Sequence, residues 1–157
     1  MNVHYRKTYR AKRRQRKGAA VTEFALIVPL LALITMGAID VGQSINVSQV
    51  VNDASREGAR QASRGDIESV DQVTASVRAF VADAFPNIPR DQLSAAVSVD
   101  VHDQGGNAIP SGDLTSVDSG ARVVVRVSLP FNVVQLTDFL PGFDKITVQT
   151  TTVMRRD

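Results

Sequence analysis

The chain of 157 residues contains no cysteine, which excludes a disulfide framework and any thiolate metal site. Histidine is scarce, with His4 near the N-terminus and His102 far from it. A lone His102 beside Asp103 is commoner as a surface pair than as a metal ligand. No acidic residue precedes Glu23, and no charge of either sign occurs from Phe24 to Ile39. Proline is missing from Leu30 to Phe85, so nothing in that stretch forbids a long helix. Aromatic residues are few, and none after Tyr9 is interleaved with the N-terminal cations, so base stacking on nucleic acid has no support. There is no Gly-x-Ser-x-Gly elbow, and Gly105-Gly106 is followed by neither a lysine nor a helix start, so it is no phosphate loop. Asp100, Asp103, Asp113 and Asp118 flank this glycine-rich region, but their spacing is not that of an EF-hand, and they read as turn acids. No cofactor, metal, catalytic residue or small-molecule substrate is expected, and an enzyme is the weakest of the function classes.

What is present is strongly polar in its arrangement. Eight of the eighteen basic residues lie in the first seventeen positions: Arg6, Lys7, Arg10, Lys12, Arg13, Arg14, Arg16 and Lys17. The apolar run follows at once. Bilayers hold a polybasic flank on the cytoplasmic side and accept an apolar helix behind it. The pattern predicts an N-terminus in the cytoplasm and everything after Val41 outside. Binding of the basic leader to nucleic acid is the lesser reading beside a topology signal.

The sixteen charge-free residues would span only about 24 Å as a helix, short of a hydrocarbon core of about 30 Å. Counting from Ala19 to Val41 gives about 34 Å, which suffices. That span includes Asp40 at its outer edge, where it is expected to reach headgroups, and Glu23 five residues in. An ionisable group at the depth of Glu23 costs a few kcal/mol and marks function by default. The plain alternative is a side chain that snorkels to the interface. A cleavable secretory signal fits poorly, because cleavage after Ala38 would put Met36 at −3 and the helical pattern continues beyond it.

Two motifs narrow the reading. Lys17-Gly18-Ala19-Ala20-Val21-Thr22-Glu23-Phe24 resembles the cleavage site of type IV prepilins, in particular the Flp (tight-adherence) branch. Asn52-Asp53-Ala54-Ser55-Arg56-Glu57-Gly58-Ala59-Arg60-Gln61-Ala62 resembles the conserved segment of TadE-like pilus-assembly proteins, with Ser55 where alanine is usual. Pro29 inside the membrane run, and Gly37, Asp40 and Gly42 near its end, fit the same family. The resemblance covers roughly residues 17 to 62. It implies a prepilin peptidase cutting after Gly18 on the cytoplasmic side, a mature chain starting at Ala19, and Glu23 as its fifth residue. It implies that Phe24, Pro29, Ala54, Arg56, Glu57, Gly58, Ala59 and Arg60 serve helix packing, with Gly58 allowing close approach to partner helices. The implied partners are the membrane, other pilin or pseudopilin subunits, the inner-membrane platform of the pilus and the peptidase.

Cleavage after Gly18 would remove all eight leader cations, leaving ten basic against sixteen acidic side chains, a net charge of −6. The new Ala19 ammonium of a neighbouring subunit could then pair with Glu23 and set the register between helices.

The division expected is a leader over 1–18, a membrane helix over 19–42, and an extracytoplasmic domain over 43–157. The fold class expected is α+β: a long N-terminal helix to about Arg64, a stop at Gly65 with Asp66 as the next cap, and a second helix over Ile67 to Phe85. A small antiparallel sheet follows, from Ala95–Val101, Ala121–Leu129 and Lys145–Met154, with the second helix covering one face. The stretch Pro130 to Asp144 reads as a loop with a helical turn at Val133 to Leu140. Leu93, Phe131, Phe139 and Phe143 are the expected core residues. Two functions stay open: a minor pseudopilin of a tight-adherence pilus or related secretion apparatus, and an uncleaved, membrane-anchored binding module.

Overall fold

The computed structural model describes residues 15–135 and 145–157. Residues 1–14, which carry most of the basic leader, and 136–144, with Phe139 and Phe143, lie outside the described residues. By contacts the chain falls into two units, one ending at Met36 and one running Gly37–Asp157.

Helix α1 spans Gln15–Ser63 and passes through Pro29. In the first unit this helix presents apolar side chains all round. Phe24 is 67 % exposed and Leu26 78 %. A soluble helix hides such groups, whereas a bilayer solvates them. Its hydroxyls are satisfied locally: Thr22 Oγ1 donates to the Ala19 carbonyl at 2.7 Å and Thr35 Oγ1 to that of Leu31 at 2.8 Å. Such back-bonding removes the need for water in an apolar medium. The helix is a candidate membrane span by length and composition.

The second unit is α+β. It contains the rest of α1, helix α2 (Val70–Ala84), helix α3 (Arg90–Ala96), and strands β1 (Ser98–Asp103), β2 (Arg122–Pro130) and β3 (Thr147–Arg155). The strands form one antiparallel sheet in the order β1-β2-β3. Val101 pairs with Val125, and Val125 with Thr152. The period-two pattern of β2 sends Val123, Val125, Val127 and Leu129 inward, all fully buried, and Arg122 and Arg126 outward. β3 turns Val148, Thr150, Thr152 and Met154 inward, a more polar face for which the helix above supplies a partner. Ser55 of α1, fully buried, bonds the Val125 carbonyl at 3.1 Å and the Thr152 hydroxyl at 2.9 Å.

Three expectations are corrected. Asp66 is not the cap of α2. Ser69 holds that place, its hydroxyl accepting from the Gln72 backbone N–H, and it starts the helix at Val70. The apolar alternation over Ala95–Val101 begins inside a helix: Pro86 and Pro89 break the chain, α3 restarts at Arg90, and β1 begins only at Ser98. Leu93 of that unforeseen helix is fully buried, as is Phe131, both as expected. Finally, α2 does not cover the sheet alone, because the C-terminal half of α1 lies on it as well, through Ser55 and Gly58. The helical turn expected over Val133 to Leu140 falls largely outside the described residues; the turn seen is at Phe131–Val133.

The end of α1 is closed by residues far along the chain. Arg156 is buried and donates Nη1 to the Ala62 carbonyl at 3.2 Å, while the Asp157 N–H donates to the Ser63 carbonyl at 2.9 Å. A cation and two donors there meet the unpaired carbonyls and the negative end of the helix dipole. Arg156→Met keeps much of the side-chain bulk but removes the donors. It is expected to cost about 1–3 kcal/mol, read as a lower urea midpoint of the detergent-solubilised protein. An unchanged midpoint would show that the last turn of α1 does not depend on this bond.

Candidate processing and packing site

Gly18 and Ala19 lie on the helix in the first unit, exposed, and a side chain added at Gly18 would meet nothing within 4 Å. Glu23 and Phe24 follow one turn later, also exposed, and Pro29 sits within the same apolar surface. Among the described residues nothing packs against Gly18.

The second motif is divided by the face of α1. Ala54 and Ala59 are fully buried in the chain's own core. Gly58 faces α2 and β2: a Cβ built there would stand 2.6 Å from Val77 Cγ2 and 3.4 Å from Val125 Cγ1. Its close approach is therefore to elements of its own chain. Arg56, Glu57 and Arg60 take the other face. Arg60 Nε and Nη2 bond both carboxylate oxygens of Glu57 at 2.8 and 2.6 Å, and Gln61 Nε2 adds a third bond at 2.9 Å. The Arg60 and Gln61 hydrogen bonds hold the Glu57 carboxyl below its ordinary range. Arg56 is exposed.

This shift carries a sign. With the folded carboxyl the stronger acid, the Glu57 contribution is complete above the ordinary carboxylate range and fades as pH falls through the lower folded value. Glu57→Gln should therefore lower stability at neutral pH and leave the acid end nearly unchanged, so that the acid side of the curve flattens, in urea titrations between about pH 3 and pH 7. A parallel shift at every pH would mean that the ion pair is not the source.

Asp40 is fully buried within the second unit, so it does not extend to headgroups as its place at the edge of the apolar run suggests. The side chain turns inward onto the domain, a choice of helix face that a span count does not resolve. Asp103 and Asp113 are turn acids. Asp103 accepts from the Asn107 N–H at 2.8 Å, across a turn in which Gly106 has φ +80°, and Asp113 accepts from the Thr115 N–H at 2.8 Å. The Asn107 N–H and amide hold the Asp103 carboxyl below its ordinary range, and the Thr115 hydroxyl, then its N–H, do the same for Asp113. The carboxylate of Asp103 is thus directed to Asn107 and not to His102. Among the described residues no three His, Asp or Glu side chains gather as a metal site would require. The residues that sequence reasoning missed are Arg156 and the lining of a cleft beside Gly42. Neither carries a local signal, because each depends on contacts between distant segments.

The family model described as "TadE-like protein" matches residues 18–60 of the chain. No curated protein and no solved structure gives a match. The matched segment starts at Gly18 and ends at Arg60, so it takes in most of both motifs and the whole apolar run between them. Residues 18–60 are thus similar to the TadE-like family, the family that the second motif resembles.

Proposed function

We propose that the protein is a non-enzymatic, membrane-anchored minor pseudopilin that takes part in assembling a tight-adherence (Flp, type IVb) pilus or a related secretion apparatus. The observation that carries this reading is the TadE-like match, which begins at the very glycine after which a prepilin peptidase would cut. In support, the half of α1 that follows is apolar and exposed all round, as a helix must be to lie first in lipid and then against other helices. The protein sits in the cytoplasmic membrane with its N-terminus inside and its α+β domain outside. Cleavage after Gly18 releases the cationic leader, which otherwise holds the helix to the cytoplasmic face. The new Ala19 ammonium of one subunit meets Glu23 of the next, so that neither charge stays alone in an apolar bundle.

The test is the N-terminus of the membrane-extracted protein, by intact mass and terminal sequencing, with and without prepilin peptidase. A peptidase-dependent start at Ala19 supports the reading. An uncut N-terminus in both cases overturns it in favour of an anchored binding module. A start after Ala38 would mean a secreted, soluble domain. Glu23→Ala should leave the α+β domain folded and abolish co-purification with other pilin-type subunits; intact assembly would refute the pairing.

A further inference from the structure

Helix α2 runs back along α1 within the second unit. Its Val73 and Val77 stand against Gly58, while the connection after it, Phe85 to Ile88, returns to α1 between Ile39 and Asn46. Between them lies an open cleft of about 430 Å³. Ile39, Gly42 and Asn46 form one wall and Phe85, Pro86 and Ile88 the other. The connection is held by Pro86 and Pro89, and no charged side chain lines the cleft among the described residues.

We propose that this cleft is a lipid site, taking the glycerol and upper acyl portion of a phospholipid from the outward-facing leaflet. Ile39 is the last residue of the charge-free run, so the cleft's wall on α1 is continuous with the membrane span. From Ile39 to Asn46 the helix rises about 10 Å, and the headgroup layer on one side of a bilayer is about 5–8 Å deep. The cleft therefore opens where fatty-acyl chains give way to ester groups. Ile39, Phe85 and Ile88 meet the former, and the amides of Asn46 and Asn87 supply donors for ester and phosphate oxygens. The absence of a cation in the lining favours the uncharged part of the lipid over any particular anionic headgroup. A wall made of a proline-bounded loop with Phe and Ile is unlike the small-residue seams by which membrane helices pair, which favours lipid over an apolar helix as occupant.

The inference rests on the reading that α1 crosses the membrane, and the experiment separates the two. The chain has no tryptophan, so single substitutions report without background. Phe85→Trp, Leu30→Trp in the apolar run and Val153→Trp on exposed β3 are made in the full chain and placed, one copy per disc, in phosphatidylcholine nanodiscs. Circular dichroism confirms that each folds alike. Spin labels on the upper acyl chain should lower the emission of Phe85→Trp roughly two-fold, since labels and reporter share one layer, whereas aqueous iodide should affect it little. Val153→Trp should behave the opposite way. Quenching of Phe85→Trp by iodide and not by lipid labels overturns the proposal, as does shielding from both. If Leu30→Trp also escapes the lipid labels, the membrane span itself is wrong. If Leu30→Trp is quenched and Phe85→Trp is not, only the lipid site fails.

Discussion

Replacing Phe131 by alanine is expected to remove about 3–5 kcal/mol of stability from the α+β domain, the largest single loss among its core positions. Phe131 is the largest of the fully buried side chains among the described residues. It sits just past the end of β2, where Pro130 ends the strand and a short helical turn begins, and its N–H donates to the Ile146 carbonyl at 2.8 Å. The ring therefore belongs to a point where the end of β2, the approach to β3 and α3 converge. A hole there is hard to fill, because the preceding residues of β2 are held by ladder bonds and cannot move in to close it. Since domains of this size are stable by about 5–15 kcal/mol, the variant should be near unfolding at ambient temperature. Phe131→Leu, which keeps most of the volume, should cost less than about half as much. Urea denaturation of the detergent-solubilised protein, followed by circular dichroism, decides it. A loss below about 1 kcal/mol for the alanine variant would mean that the ring is not the keystone of this end of the core.

Gly58→Ala is expected to destabilise the domain by about 1–3 kcal/mol, against the direction that helix propensity dictates. In an exposed helix interior the same change gains about 1 kcal/mol, because glycine loses the most backbone freedom on folding. Here the added methyl would stand 2.6 Å from Val77 Cγ2, well inside van der Waals contact. Val77 cannot yield easily, since a β-branched residue in a helix has essentially one χ1 rotamer. Either α2 moves away from α1, opening the contacts of Val73 and Val77 with the sheet, or the clash is borne as strain. A second variant identifies the cause. In a Val77→Ala background the obstruction is gone, and Gly58→Ala should become neutral or stabilising. If Gly58→Ala costs the same in both backgrounds, the clash with Val77 is not what glycine avoids at this site.

The motif around Gly58 marks it as a place of close approach, and the structure gives such an approach. The neighbours, however, are Val77 and Val125 of the same chain. Nothing local distinguishes an internal neighbour from a partner subunit, since either demands a small residue. Ser55 is similar: a hydroxyl where alanine is usual has no local reason, and finds one only when Val125 and Thr152 are brought to it. Asp40, expected to reach headgroups from the outer edge of the apolar run, is buried in the second unit. Leu93 is an expected core residue and is buried, but the helix that carries it has no signature in the sequence, because seven residues are too few to show a period.

The sequence by itself determined the long first helix, the apolar run and its cationic flank, the second helix, the three strands and their α+β order, and the TadE-like character of residues 18–60. These are properties of period, punctuation and charge along a line, and they act over a few residues. Only the tertiary structure decided which face of α1 carries the sheet, that Arg156 closes the end of α1, that Ser69 and not Asp66 starts α2, and that the loop after α2 returns to Ile39 and Gly42 to make a cleft. Those outcomes depend on pairings between residues tens of positions apart. They are chosen by packing and by the need to satisfy every buried polar group, which no local pattern encodes.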